Sequence, residues 1–491
     1  MPTYVSLNAY NPTAVRLGAT TKNEGESVMK NKEGQGFAFL RRLCLVALLV
    51  SGTIFAGTSP SAAQPVEGKQ NAQPSDAYTT TVDYVTTFYP LWFTYYQSKV
   101  DSLIGTSNLM VGSDRVSPLY HFVVAINHDT LYSGVYLNLT AEPVVVTFPA
   151  NPENVPFSLL VLDPYGTEIK TEIPPQAKGA YAFTGPNFSG PLPEGVTRVR
   201  MPIDYPALYV RAVKLNQVQN AEKFRAALKT QTLSKYLIDP NGGATTILPE
   251  ALFALPFKTT ADQVIARQPI AFLKLLQKAV AAPNTPELSE RDRGLSDRFN
   301  TLFGDGETQQ SEFSAGAQKA HEEIVSNYLT HTGETNWIHF RNIGDWGDDV
   351  VDRSSITQYI QLANSIETAA YYHTFNDAQG QTLDGSNQRV YVLKFTKDQI
   401  PKALRFWSLT AYTPNAIELI ANEADKYVVA SHTPELQYGS DGSLTVYMSA
   451  KQPAGVPTAN WLPVRPGKFN IMLRVYGPAG DASYVPPAIS R

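Results

Sequence analysis

Apolar and polar positions change period along the chain, and the changes divide it into stretches. In "DAYTTTVDYVTTFYPLWFTYYQSKV" (residues 76–100), Val82, Val85, Tyr89, Trp92 and Tyr96 recur at three and four. That spacing predicts an amphipathic helix starting near Ser75 or Asp76 and kinked at Pro90. From Leu119 to Arg211 the period falls to two in "GVYLNL", "PVVVTFP", "FSLLVLD", "AYAFTG", "TRVRMPI" and "ALYVRAV". Turn residues separate these runs, and β-branched and aromatic residues fill them, as in an antiparallel β-sandwich. Helical spacing returns after residue 215, with Ile270, Leu273, Leu276 and Val280 on one stripe and Phe313, Ala317, Ala320, Ile324 and Tyr328 on another. A second β series follows in "RVYVLKF", "RFWSLTAY", "KYVVASH", "SLTVYMS" and "FNIMLRVYGP", with Asp441-Gly442 as a hairpin signal. A chain of 491 residues is too long for one ordinary core. The expected organisation is therefore multi-domain and mainly β: an N-terminal β-sandwich with its leading helix (77–214), a helical module (215–335) and a C-terminal jelly-roll or similar sandwich (336–491).

The first 63 residues follow neither period. Lys30, Lys32, Arg41 and Arg42 precede the apolar run "LCLVALLVSGTIFAG", and "SPSAAQP" follows, with Ser61 and Ala63 ahead of a cut before Gln64. This is the order of a secretory signal, with Met29 as an alternative start. The run is about fifteen residues, short of the roughly twenty that cross a bilayer; an uncleaved anchor is the other reading. The expected location is periplasmic or secreted, with no integral membrane segment after cleavage. Cys44, the one cysteine, falls inside this segment, which leaves the mature chain without thiol chemistry. The remainder carries 34 Lys/Arg against 41 Asp/Glu, a formal charge of −7. With no basic run, nucleic acid is a poor partner.

Common catalytic constellations are absent from the sequence. "HEEIV" at His321 lacks a second His four residues on. There is no G-x-S-x-G elbow, phosphate loop or G-x-G-x-x-G after a strand. Three polar groupings remain. In "AINHDTLYSGVYL" (125–137), Asn127 and Asp129 stand at the mouth of a strand that buries one face. They either tie down loop amides or face a pocket, where a buried carboxylate would need a partner. Asp129 is the best catalytic candidate, and a raised pKa there would favour an enzyme. In "RNIGDWGDDVVDRSS", Asp345, Asp348, Asp349 and Asp352 fall at i, i+3, i+4 and i+7. They mark either a solvated helix start with an Asp349–Arg353 pair or a Ca²⁺ or Mg²⁺ site in which Asp345 and Asp349 are ligands. In the C-terminal region Trp407, Tyr412, Asn422, Tyr427, Asn460, Trp461, Arg474 and Tyr476 are either core or the wall of a sugar-like or small organic ligand site.

"NHDTLYSGVYLNL…EPVVVTFP" with "FSLLVLDPYGTEI" resembles the bacterial domain of unknown function numbered 1254. "RFWSLTAY", "ADKYVVASHTPELQYGSDGSLTVYMS" and "NWLPVRPGKFNIMLRVYGP" resemble its C-terminal companion, numbered 1214. The resemblance implies an immunoglobulin-like N-terminal sandwich, a helical module and a C-terminal jelly-roll-like domain in an exported protein, and it implies no reaction. The family pattern falls on Asn127, Asp129, Thr130, Leu131 and Tyr132, with His128 where Asn is commoner. It also falls on Trp346, Gly347, Asp349 and Arg353, with Trp for the commoner Tyr, and on Trp407, Tyr427, Asn460, Trp461, Leu462, Pro463 and Arg474.

The leading expectation is an exported protein that binds a small organic or carbohydrate-like ligand in a polar, aromatic pocket between domains. Asn127, Asp129, Tyr132, Arg353, Trp407, Tyr427, Trp461 and Arg474 would line it. The alternatives are a metal-assisted hydrolase or lyase and a structural envelope protein. A homo-oligomer stays open beside a monomer.

Overall fold

The computed structural model describes residues 74–491 apart from 216, 305, 481 and 482. The expected signal segment, with Met29 and Cys44, lies outside the described residues. Along them the chain runs α1 (Asp76–Ile104), β1 (Val111–Ser113), β2 (Thr130–Tyr136), β3 (Val144–Phe148), β4 (Phe157–Leu162), β5 (Gly179–Thr184), β6 (Val196–Arg200) and β7 (Ala207–Val213). There follow α2 (Val218–Ala227), β8 (Lys229–Thr232), α3 (Leu233–Ile238), β9 (Thr246–Leu248), α4 (Phe257–Arg267), α5 (Pro269–Val280), α6 (Glu290–Phe303), α7 (Gln310–Thr330) and α8 (Val350–Tyr359). The last part is β10 (Ala369–Thr374), β11 (Tyr391–Phe395), β12 (Ala403–Tyr412), β13 (Val428–Ala430), β14 (Leu444–Ser449), β15 (Trp461–Pro463) and β16 (Asn470–Pro478).

The N-terminal strands form two sheets, β4-β7-β2-β1-β9 and β6-β5-β3-β8. Leu131, Val135, Val146, Phe148, Phe183 and Leu208 fill the space between them. Two pairings depart from the antiparallel expectation, since β1 runs parallel to β9 and β5 parallel to β6. The 185–195 connection "GPNFSGPLPEG" is long enough for the second, because eleven extended residues span about 36 Å and β5 only about 20 Å. Strands β8 and β9 come from the stretch expected to be helical. Each is only three or four residues long, too short to display a period. The C-terminal strands form β10-β16-β12-β13 and β11-β14-β15 around Leu393, Leu409, Val446, Met448 and Leu473. Asp441-Gly442 does reverse the chain, joining Tyr438 to Leu444 through a single bridge, and only Gly442 takes a positive φ (78°).

The leading helix belongs with the other helices rather than with the first sandwich. Tyr84, Phe88, Trp92 and Phe93 of α1 share one apolar cluster with Phe257, Phe272, Leu276, Phe299 and Phe313. The Ser75 side chain opens α1 by accepting the Tyr78 N–H at 3.2 Å, and Gly105, at φ 77°, closes it. Between them α1 continues through Pro90. Proline has no N–H to give, so the Thr86 carbonyl four residues back loses its helical donor. The Ser354 hydroxyl donates to that carbonyl at 2.7 Å, and Arg353 Nη2 donates to the Thr87 carbonyl at 2.7 Å. The guanidinium also lies over the Tyr165 ring, 4.4 Å from its centroid. Helix α8 thus repairs the ladder of α1, and this is where Arg353 is engaged. Among the described residues no helix is long and apolar enough to cross a membrane.

This repair predicts a coupling. Ser354→Ala strands the buried Thr86 carbonyl and should cost about 1–3 kcal/mol in urea unfolding. In a Pro90→Ala background the restored N–H satisfies that carbonyl, and the cost of Ser354→Ala should fall below about 1 kcal/mol. Equal costs in both backgrounds would refute the repair.

Candidate functional site

Strand β2 carries two different faces. Leu131, Ser133 and Val135 point into the sandwich, while Tyr132, Gly134 and Tyr136 point the other way. In register with them on β7, Arg211 sits opposite Tyr132 and Tyr209 opposite Gly134. The face that a two-layer sandwich would leave to solvent therefore carries three tyrosines and an arginine. It is covered instead by the C-terminal sheet, where Tyr371 of β10 is paired with Arg474 of β16, and Tyr476 follows two residues on. A cavity lies between these faces, with about 910 Å³ of empty space including its open mouth. Gly134 keeps its floor low, since a Cβ there would meet the Tyr209 ring at 3.0 Å.

The loop before β2 forms one wall and is pinned from the C-terminal side. Ala125 has φ 51°, a conformation that costs an L-residue about 1–2 kcal/mol. Its N–H donates to the Ile417 carbonyl at 2.9 Å, and its carbonyl accepts Arg474 Nη2. Tyr412 Oη donates to the next carbonyl, that of Ile126, at 2.8 Å. Asn127 then joins three elements: its Nδ2 donates to Tyr476 Oη at 2.7 Å, its Oδ1 accepts the Asp129 N–H at 2.9 Å, and its own N–H donates to Tyr132 Oη at 3.2 Å. The opposite wall is the 360–364 segment, with Gln361 and Leu362 both at positive φ (29° and 55°). Arg211 fixes this wall by donating Nη2 to the Leu362 carbonyl at 2.7 Å and Nη1 to Asn364 Oδ1 at 3.0 Å.

The charges in this cavity do not balance. Arg474 is 2% exposed, lies 5.5 Å from the Tyr412 ring centroid, and has an Nη1 with no partner among the described residues. Arg211 is likewise buried. Asp101, in the last turn of α1, is the only carboxyl among the described lining residues. Thr106 Oγ1 donates to its Oδ1 at 2.9 Å, and its buried Oδ2 has no partner. Burial raises its pKa from the ordinary 3.8 to about 7, against the Thr106 hydroxyl and the Tyr136 backbone N–H, which favour the ionised form. Beside it, Tyr209 Oη donates to Tyr136 Oη at 3.3 Å, and Tyr136 Oη donates to Gln97 Oε1 at 3.3 Å. Burial pushes both phenols well up, so they remain neutral.

Of the eight residues expected to line a pocket, Asn127, Tyr132 and Arg474 line this cavity, as does Tyr476 of the C-terminal aromatic grouping. Asp129 sits one layer behind, with His432 Nε2 3.1 Å from its Oδ1. Burial alone would raise its pKa, but the His432 imidazole, the Ser408 hydroxyl and nearby His128 together hold it below the usual carboxylate range. That direction is opposite to the one expected of a poised acid. Burial also pushes His128 down to about 4. The other four lie apart from the cavity. Arg353 is engaged with α1, and Trp407 is in the core between the C-terminal sheets. Tyr427 Oη donates to Asp425 at 2.6 Å, and Trp461 Nε1 donates to the Ser449 carbonyl at 3.1 Å. Asp349 caps α8 by accepting the Asp352 N–H at 3.1 Å, and Asp345 and Asp348 are exposed. The Gly347 backbone, at φ 53°, turns the chain before the helix starts, so the four carboxylates do not share one helical face. No group of three or more His, Cys, Asp or Glu among the described residues could hold a metal ion.

Sequence reasoning missed Asp101, Tyr136, Tyr209, Arg211, Tyr371 and Gln361. Two signals were there. Tyr209 and Arg211 are the alternate positions of "ALYVRAV", and Asp101 puts a carboxylate at the negative end of a helix whose last turn has no base.

The family described as a protein of unknown function, DUF1254, matches residues 107–232, and the one described likewise as DUF1214 matches 368–480, in the order the sequence suggested. The first match spans β1 to β8 and the second β10 to β16, so the cavity lies where the two matched regions meet. None of the curated proteins matches the chain. Among solved structures the chain is similar to the VPA0106 protein from Vibrio parahaemolyticus, at 20% identity and a TM-score of 0.54, over 84% of this chain and 99% of that one. That likeness shows a shared fold. An uncharacterized protein from Burkholderia cenocepacia is similar at 14% identity and a TM-score of 0.42, over 95% and 98% of the two chains.

The Asp101 shift predicts a pH dependence of known sign. Between about 4 and 7 the folded carboxyl holds its proton while the unfolded one has lost it, so this group lowers stability as pH rises through that window. Three pKa units correspond to about 4 kcal/mol. Asp101→Asn should therefore gain on the wild type in urea unfolding as pH rises from 4 to 8. A difference that stays constant with pH would show that the carboxyl is not perturbed.

Proposed function

We propose that this protein binds a small organic acid, its carboxylate received by Arg474 and its apolar or ring-shaped body held among the tyrosines of the two sheet faces. The observation that carries this reading is the fully buried guanidinium whose Nη1 has no partner among the described residues, in a cavity whose one carboxyl among the described lining residues is pushed toward neutrality. A buried cation without a counter-charge costs several kcal/mol, and a planar fork of N–H donors suits a carboxylate. Tyr132, Tyr371 and Tyr476 add hydroxyls and ring faces around that fork. A sugar acid or an aromatic acid satisfies these demands, and a neutral sugar leaves the guanidinium unmatched. Asn127 contributes by positioning, since it holds Tyr476, Tyr132 and the loop together.

The test compares carboxylic acids with their primary amides. At a hundred times its dissociation constant an acid should stabilise the protein by about 2.7 kcal/mol in thermal unfolding, and the matching amide should not. Arg474→Gln, checked for folding by circular dichroism, should abolish the shift. Equal shifts for acid and amide, or none across aliphatic, aromatic and sugar acids, would overturn the reading.

A further inference from the structure

The cavity has two polar poles, and strand β2 sets the distance between them. Tyr132 stands at one, where Arg211 lies 5.7 Å from its ring centroid and Asn127 links it to Tyr476. Tyr136 stands at the other, beside Asp101, Tyr209 and Gln97. Four residue steps along the strand separate them, about 13 Å between Cα atoms, with the bare backbone of Gly134 midway. Asp101 is 8% exposed and lines this cavity, and its buried Oδ2 has no hydrogen-bond partner among the described residues. Apart from these poles, Val111, Phe122, Val124 and Phe253 make much of the lining apolar.

Resting on the reading of the cavity as an acid-binding site, we propose that its ligand carries a hydrogen-bond donor, an ammonium or a hydroxyl, at the end of the molecule remote from its carboxylate, and that Asp101 Oδ2 receives that donor. The substrate class is thus a chain-like or ring-bearing acid substituted at its far end. Two buried polar atoms of complementary type, Arg474 Nη1 and Asp101 Oδ2, each without a hydrogen-bond partner among the described residues, belong to residues lining one cavity, and a single ligand of this class satisfies both. Leaving either unmatched costs more than a made hydrogen bond gains, so the discrimination is large. Asp101 and Tyr136 also line an outer cleft with Lys99, Ser102 and Asn284. They form the partition at which the far end of the ligand stops.

Calorimetric titration of the whole chain at pH 8, above the value of about 7 to which burial raises Asp101, provides the test. The ligands are unbranched carboxylic acids of four to eight carbons and their terminal amino and hydroxy derivatives. At one chain length a substituted acid should bind at least about tenfold more tightly than the plain acid, or about 1.4 kcal/mol. In Asp101→Asn an ammonium ligand should lose that advantage, whereas a hydroxyl ligand, which an amide oxygen can still accept, should keep part of it; the two outcomes identify the donor. If plain acids bind but terminal substitution brings no gain at any length, this inference fails and the acid-binding reading stands. If no acid binds, both fail.

Discussion

The guanidinium of Arg474 is the constraint on which the rest depends. From β16 of the C-terminal sheet it donates one arm to the Ala125 carbonyl and so holds the loop that leads into β2. Ala125 adopts its left-handed conformation because it is gripped from both sides, by Arg474 at its carbonyl and by Ile417 at its N–H. Neither β region could present this wall alone. The same residue that clamps the loop keeps its second arm free inside the cavity, so architecture and charge come from one side chain. The aromatic face of Tyr412 offsets part of the desolvation, on the order of 1–2 kcal/mol. That is less than a buried unpaired cation costs.

The tyrosines follow from the same geometry. A strand at the surface of a sandwich alternates apolar and polar, and β2 and β7 do so. Their polar face then meets a second sheet instead of water, which calls for groups that are large, rigid and able to satisfy a hydroxyl internally. Tyr132, Tyr476, Tyr209 and Tyr136 do this in short chains, ending on the Asn127 amide in one direction and on Gln97 in the other. Asp101, at the wrong end of its helix, is the one carboxyl among the described lining residues, and burial is the largest influence on its state.

Much of the architecture was legible because period and burial agree. The strands beginning at Thr130, Phe157, Ala207 and Asn470 lie within the apolar runs that suggested them, and the stripes through Leu276 and Ile324 are core. The short strands around Thr230 and Ile247 were not, since three or four residues show no period and are placed by their neighbours. At the site, Asn127 and Tyr132 were visible because polar groups crowd a strand entrance. Arg211 and Asp101 were not, because one strand or one helix does not say what covers its second face. Trp407 and Trp461 misled for the converse reason. Aromatic composition is the same in a core and in a ligand site, and only packing separates them.

The repair of the first helix reaches beyond equilibrium stability. The Thr86 carbonyl has no helical donor, and it and the Thr87 carbonyl accept from donors that lie 268 and 266 positions later in the chain. During synthesis at the ribosome the opening helix emerges long before those donors exist, and its middle turn stays hydrated until they arrive. Docking of the late helix is then the event that dries the early one, a long-range contact that forms only after the intervening chain has been made.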